Sequence, residues 1–293
     1  WEHCFASPTL PPEVPPPLPP PLPSPLQPSP PAPSPRPLSL ASDRYALFVQ
    51  SDGLRLSDAY SDATVYYPHP ETGVGAPPYK SIVMSPGFFG YRFQLYRWGR
   101  VLASQGYVCL ILDTNLPYDF PFERGKALRD ARITLLHEHG ERTQSPLYGK
   151  LNTSAFIAMG HSMGGGGAYN AAINAQSGEF VGVLALTPWI ETSVNELTIH
   201  DEYVLIIGGS RDTVSIPSEQ ARRHYFMLPS TTKKILYEVE SGNHVFVLDP
   251  NDVFGAGVYA LAWMACAFER RENECAPLRV TPETASVYNF ANV

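Results

Sequence analysis

Gly160-His161-Ser162-Met163-Gly164 decides how this chain is read. An apolar run, Ala155-Phe156-Ile157-Ala158-Met159, precedes it. Gly165 to Gly167 follow, and then the helix-compatible Ala168-Tyr169-Asn170-Ala171-Ala172-Ile173. Gly-x-Ser-x-Gly between a strand and a helix marks a tight turn that lifts a serine hydroxyl clear of a sheet. The glycines relieve crowding, and the helix N-terminus faces the place where an oxyanion would form. The plainer alternative is a serine that only caps the helix. The strand before and the helix after favour a nucleophile.

Such a serine needs an acid and a histidine, and this turn places them later in the chain, acid first. Glu202-Tyr203-Val204-Leu205-Ile206-Ile207-Gly208-Gly209 reads as a buried strand running into Ser210-Arg211-Asp212-Thr213. Asp212 is therefore expected on a loop at a strand's C-terminal end, where open α/β sheets place their chemistry. Lys234-Ile235-Leu236-Tyr237-Glu238-Val239-Glu240 is a further strand, and it delivers His244 on the loop after it. Of eight histidines, only His161 and His244 occupy such a place, and His161 lies inside the turn. Asp249 and Asp252 follow His244, in the wrong order, and Asp201 precedes its strand. The competing reading of Asp212 is an ordinary turn aspartate, and of His244 a surface loop histidine.

Seven segments in order resemble the cutinase-like polyester hydrolases, which include bacterial cutinases and polyethylene terephthalate hydrolases. They are Thr64-Val65-Tyr66-Tyr67-Pro68, Ser85-Pro86-Gly87-Phe88, Asp113-Thr114-Asn115, the turn from Gly160 to Gly167, Leu186-Thr187-Pro188-Trp189, Asp212-Thr213 and Asn243-His244. The resemblance implies an α/β-hydrolase fold and serine ester hydrolysis, with Ser162, His244 and Asp212 as triad. It also implies an oxyanion hole made by the N–H groups of Phe88 and Met163, and an apolar groove lined by Phe88, Met163, Trp189 and Val214. Core packing is the alternative for Phe88 and Trp189. Phe89 and Phe246 depart from the family pattern, and Val245-Phe246 beside His244 is expected to narrow the groove. No cofactor is implied. No metal-ligand cluster is evident, although scattered carboxylates could hold calcium as in some relatives.

The coarse pass alternates strand and helix. Strands are expected at 64–68, 81–85, 108–113, 155–160, 181–186, 203–208 and 235–240. Their Val, Ile and Leu runs suit central strands covered on both faces. Helices are expected at 93–104, with Leu95, Trp98 and Leu102 on one face, at 123–139, charged and half exposed, and at 218–226. The pattern gives a mostly parallel sheet with helices on both sides. No long insertion separates Trp189 from Asp212, so no lid domain is expected, and an open groove suits a bulky or polymeric ester.

Residues 1–40 are a different material from the catalytic domain expected at 41–293. More than half of the 31 prolines precede Leu38. Proline fixes φ and donates no backbone hydrogen bond, so polyproline II is expected there. A spacer is the simplest role, and attachment to a cell wall or surface is another. The start at Trp1, without a leader, reads as a processed or trimmed chain.

The net charge of -7 and pI near 5.6 argue against nucleic acid. No apolar run reaches membrane-spanning length. The separation of Cys266 and Cys275 permits a bridge, and the resemblance supports one, since secreted members often carry a C-terminal disulfide. Cys109 reads as a buried thiol. Cys4 has no evident partner, and Asn152-Thr153-Ser154 is a glycosylation sequon. A secreted monomer acting on an ester or polyester is the favoured reading. The rivals are a lipase, a platelet-activating-factor acetylhydrolase-like esterase, a dienelactone hydrolase (which usually carries cysteine where Ser162 stands) and a wall-displayed, non-enzymatic hydrolase fold.

Overall fold

A strand such as Val108-Cys109-Leu110-Ile111-Leu112 alternates its side chains between two faces, so it needs apolar cover on both. The computed structural model describes residues 45–72 and 75–293. The Pro-rich arm at 1–40 and Cys4 lie outside the described residues. Nine strands form one sheet in the order β1 (Tyr45–Val49), β2 (Tyr60–Pro68), β4 (Val108–Thr114), β3 (Tyr79–Ser85), β5 (Leu151–His161), β6 (Gly182–Leu186), β7 (Tyr203–Gly209), β8 (Lys233–Val239), β9 (Ala285–Ala291). The six strands from β4 to β8 in this order run parallel, and β1, β2 and β9 join antiparallel.

Each central strand feeds two cores. Leu110, Val183 and Ile206 face one of them, beside Leu128 and Leu135 of α2 (Pro121–Gly140), Tyr169 of α3 (Met163–Ile173) and Tyr225 of α4 (Ala221–Met227). Cys109, Leu184 and Ile207 face the other, beside Trp98 and Leu102 of α1 (Tyr96–Ser104) and Trp263 of α5 (Ala256–Glu269). This is an α/β-hydrolase sandwich. Residues 187–202, between β6 and β7, form neither helix nor strand, so no lid domain stands there. Among the described residues no helix is long and apolar enough to cross a membrane.

The expected strands are all present. β2 and β5 each start four residues earlier than expected. The edges β1 and β9 carry no Val/Ile/Leu run and were not expected. The stretch expected to be helical from Phe93 opens as a 3-10 turn, Arg92–Leu95, before α1. α2 is half exposed, but with polarity reversed in part: Phe122 and Ile133 face solvent while Arg124 and Glu138 are fully buried. Cys266 and Cys275 form a disulfide, which ties α5 to the short helix α6 (Glu272–Cys275), and Cys109 is a buried free thiol.

Candidate active site

The chemistry gathers where β5, β7 and β8 end. Ser162 follows β5 directly, with φ 55° and ψ -121°, a backbone conformation that strains any residue with a Cβ. Its surroundings hold it there. Its N–H donates to Leu186 O (2.9 Å), and its carbonyl accepts from Trp189 N–H (2.9 Å) and Gly165 N–H (2.9 Å). Only glycine fits beside it. A Cβ on Gly160 would lie 2.1 Å from Gly164 O, and one on Gly164 would lie 2.2 Å from Ser85 O. Thr187 after β6, Ser241 after β8 and Phe89 in the loop after β3 also have positive φ. Such strain clusters where loops are over-determined by function.

Asp212 lies three residues past β7 and His244 five past β8. The Asp212 Oδ1 accepts the N–H groups of Val214 and Ser215, both at 2.8 Å. Its Oδ2 meets His244 Nδ1 at 2.8 Å. The carboxylate is thus fixed on one side and directed at the imidazole on the other. The His244 carbonyl is held by His161 Nε2 (2.9 Å) and Thr187 Oγ1 (3.0 Å), and the two histidine rings lie 4.8 Å apart. Burial, then the neighbouring His244, lowers the His161 pKa to about 4, so this ring is neutral at ordinary pH. Trp98 Nε1–H donates to Val247 O (2.7 Å) and anchors the segment after His244 to α1.

The loop after β3 closes over Ser162. A Cβ on Gly87 would lie 2.8 Å from Ser162 Cβ, so this backbone passes as near as glycine permits. Among the described residues, neither the Phe88 N–H, the Met163 N–H nor Ser162 Oγ has a hydrogen-bond partner. Apo sites often leave such groups unengaged until substrate arrives. Phe88 and Val214 are exposed, and Met163 and Trp189 are partly so. The core-packing alternative therefore does not describe Phe88. The expectation for Phe246 needs correction: its ring is partly buried, 5.5 Å from Phe254 and against the core, because Gly242 leaves room for it there. Of the two residues after His244, only Val245 is exposed.

Two cavities of about 410 and 540 Å³ lie elsewhere and include none of Ser162, Asp212 or His244 in their walls. Phe88 and Val214, on the loops that carry the site, are exposed to solvent. Among the described residues, no group of three or more His, Cys, Asp or Glu is placed to hold a metal ion.

Residues 24–274 match the PETase family, described as PET hydrolase-like. The chain belongs to that family. Cutinase est1 of Thermobifida alba is 31% identical over 209 residues, 71% of this chain and 65% of its own length. Cutinase 2 of Thermobifida cellulosilytica is 29% identical over 228 residues, 78% and 79% of the two chains. A bis(hydroxyethyl) terephthalate hydrolase of Streptomyces coelicolor is 28% identical over 235 residues, 80% of this chain and 71% of its own.

One residue of this PET hydrolase-like chain escaped the sequence reading. Arg124, fully buried, donates from Nε to Asp119 O (2.7 Å), from Nη1 to Pro86 O (2.9 Å) and from Nη2 to Pro117 O (3.1 Å). It clamps the loop after β3 to the segment before α2. Burial lowers its pKa to about 10, which leaves it a cation at neutral pH. Thr187 and His161 were read as motif letters, and their grip on the His244 carbonyl was not visible.

Proposed function

We propose that this chain is a secreted serine carboxylic-ester hydrolase acting on polyesters or bulky apolar esters. The observation that carries the reading is the Asp212–His244 pair, ordered at 2.8 Å beside a strained serine on a strand-to-helix turn. In this mechanism His244 Nε2 takes the Ser162 Oγ proton as the oxygen attacks the ester carbonyl. Asp212 fixes the Nδ1–H tautomer and stabilises the imidazolium. The N–H groups of Phe88 and Met163 receive the oxyanion, and loss of one such donor costs on the order of a hundred- to thousandfold in rate. Alcohol leaves with the proton from His244, and water then cleaves the acyl-enzyme by the same steps.

Phe88, Met163, Trp189 and Val214 form the groove for the acyl unit. The exposure of Phe88 and Val214, and the lack of a lid domain at 187–202, favour a bulky chain over a small enclosed ester. The Cys266–Cys275 disulfide suits an oxidising, extracellular setting. Residues 41–293 are the catalytic domain and 1–40 a spacer that turnover does not need, with the enzyme acting as a monomer. The test is Ser162→Ala. Turnover of a p-nitrophenyl ester should vanish with the fold intact, and an organophosphonate should label Ser162 in the wild type and nothing in the variant. Near wild-type activity in Ser162→Ala would sink the reading.

A further inference from the structure

The segment between β4 and α2 presents an apolar face that the reaction does not require. Leu116, Tyr118, Phe120 and Phe122 are 46%, 50%, 49% and 60% exposed. Leu116 and Tyr118 lie in a turn, Phe120 just before α2 and Phe122 in its first turn, and all four side chains reach solvent. The backbone that carries them is pinned. Thr114 Oγ1 and Asp119 N–H both donate to Leu116 O, at 2.9 and 3.0 Å, and Leu116 N–H donates to Asp119 Oδ2 (3.0 Å). Phe89 N–H donates to Pro117 O (2.8 Å), and Arg124 holds the carbonyls of Pro117 and Asp119. A loop tied down in this way cannot turn its rings inward. A cluster of large exposed apolar side chains of this kind marks a contact site.

The face is continuous with the candidate active site on two sides. Tyr118 lies 6.4 Å from the Phe89 ring, and Phe89 stands against Phe88 at 4.6 Å. Phe120 lies 6.3 Å from Trp189, whose N–H holds the Ser162 carbonyl. Its charge is spare and balanced. Asp119 and Glu123 are offset by Arg124, buried beneath the segment, and Lys126, in a chain of net charge -7. No basic excess is present to recruit anionic headgroups, as a membrane-surface element would need. An uncharged solid is the complementary partner.

We infer that residues 116–122 are an adsorption element that seats the surface of a neutral, water-insoluble polyester beside Ser162. The inference rests on the ester-hydrolase reading for the chemistry of the solid. Through Arg124 the same guanidinium braces the adsorption element and the oxyanion loop, so a chain drawn from the surface meets a preset site.

The experiment compares the full chain with a Leu116→Ser, Tyr118→Ser, Phe122→Ser variant, which leaves Phe120 and the groove residues in place. Adsorption to amorphous polycaprolactone powder is measured by depletion, with Ser162→Ala added to both proteins so that hydrolysis does not erode the solid. The substitutions should weaken adsorption by about tenfold or more. With Ser162 restored, turnover of soluble p-nitrophenyl butyrate should stay within about twofold. Neither protein should bind phosphatidylcholine vesicles, with or without anionic lipid. Unchanged adsorption would overturn the inference. So would vesicle binding that the variant loses, or a wild-type dimer in light scattering that the variant dissolves. An equal loss on the soluble ester would make the segment part of the cleft instead. Because adsorption is read on inactive protein, failure of the esterase reading leaves this result independent.

Discussion

Asp212, three residues past β7, and Glu238, near the end of neighbouring β8, are both buried carboxylates facing a nitrogen base. Their partners differ. Glu238 is gripped by Arg222, with Nε to Oε2 and Nη2 to Oε1 both at 2.7 Å, and Ser286 Oγ donates to Oε1 at 2.8 Å. Those bonds join α4, β8 and β9, and no lone pair aims at open surface. Asp212 spends one oxygen on two backbone N–H groups and the other on a histidine at the surface. The first pair is closed on a guanidinium with no lone pair to offer. The second ends on an imidazole whose other ring nitrogen is left to accept or donate a proton. A buried carboxylate therefore signals chemistry only when its partner can exchange a proton.

The largest effect should come from breaking the open pair. In Asp212→Asn the carboxamide oxygen can keep the Val214 and Ser215 N–H bonds, but the amide presents a donor to His244 Nδ1. The imidazole then takes the wrong tautomer, and kcat should fall on the order of ten-thousandfold. The melting temperature should move by only a few degrees, because local packing is retained. A modest rate loss would mean that Asp212 only shapes its turn.

The closed pair should respond the other way. Arg222→Met leaves the Glu238 charge buried with only the Ser286 hydroxyl, a loss of roughly 2–4 kcal/mol after discounting for the water that Arg222 reaches. For a domain of this size the melting temperature should drop by roughly 5–15 °C. Well below that transition, kcat on a soluble ester should stay at the wild-type level. Equal loss of rate and stability would erase the distinction between the two pairs.

A histidine with no partner at all sharpens the contrast. His224 on α4 is fully buried against Tyr169, and neither ring nitrogen has a hydrogen-bond partner among the described residues. Burial, then nearby Arg223, lowers its pKa to about 3. The unfolded chain, with an imidazole near 6.5, binds the extra proton first as pH falls. Stability from this site is therefore full above about pH 6.5 and is lost progressively toward pH 3, up to about 3 kcal/mol by pH 4.5. His161, lowered to about 4, adds a loss of the same sign. Thermal melts from pH 7 to 4.5 should show a shallower fall for His224→Phe than for the wild type. Parallel curves would mean that the ring finds a proton acceptor in the folded state.

The centre of the fold was legible because β3 to β8 are covered on both faces and so read as apolar runs. The edges were not. Tyr45–Val49 and Ala285–Ala291 need cover on one face only, and residues such as Asn289 break the run. The candidate triad was legible from a five-residue turn and the order of two loop residues. Arg124 was not, because its partners are backbone carbonyls of Pro86, Pro117 and Asp119, and a carbonyl leaves no letter in the sequence. On α2 the charged run suggested a solvated face, yet Arg124 turns inward to carbonyls of Pro86, Pro117 and Asp119, and Glu138 turns inward to an arginine just past the helix. Glu138 meets Arg142 Nε at 2.7 Å. Phe246 was misplaced for a similar reason: the space that receives its ring is made by Gly242 and Phe254, not by its own neighbours.

The smallest effect should come from Trp189, which belongs to neither pair but joins the site to its surface. Its N–H bonds the Ser162 carbonyl at 2.9 Å, a main-chain contact that survives truncation. Its indole is partly exposed and lies 6.3 Å from Phe120. As a groove wall, it should stack on the acyl unit of an aromatic ester, a contact worth roughly 0.5–1.5 kcal/mol beyond area burial. That corresponds to a factor of about 2 to 10 in kcat/KM. Trp189→Ala should therefore lower kcat/KM on an aromatic polyester fragment several-fold more than on p-nitrophenyl acetate, which is too short to reach the wall. Equal losses on both substrates would make Trp189 an organiser of the Ser162 turn, acting with Asp212 rather than on substrate. A stability loss on the roughly 3–5 kcal/mol scale of a buried tryptophan would set it beside Trp98 and Trp263 in the core. The aromatic groove would then rest on Phe88, whose ring already stands in solvent.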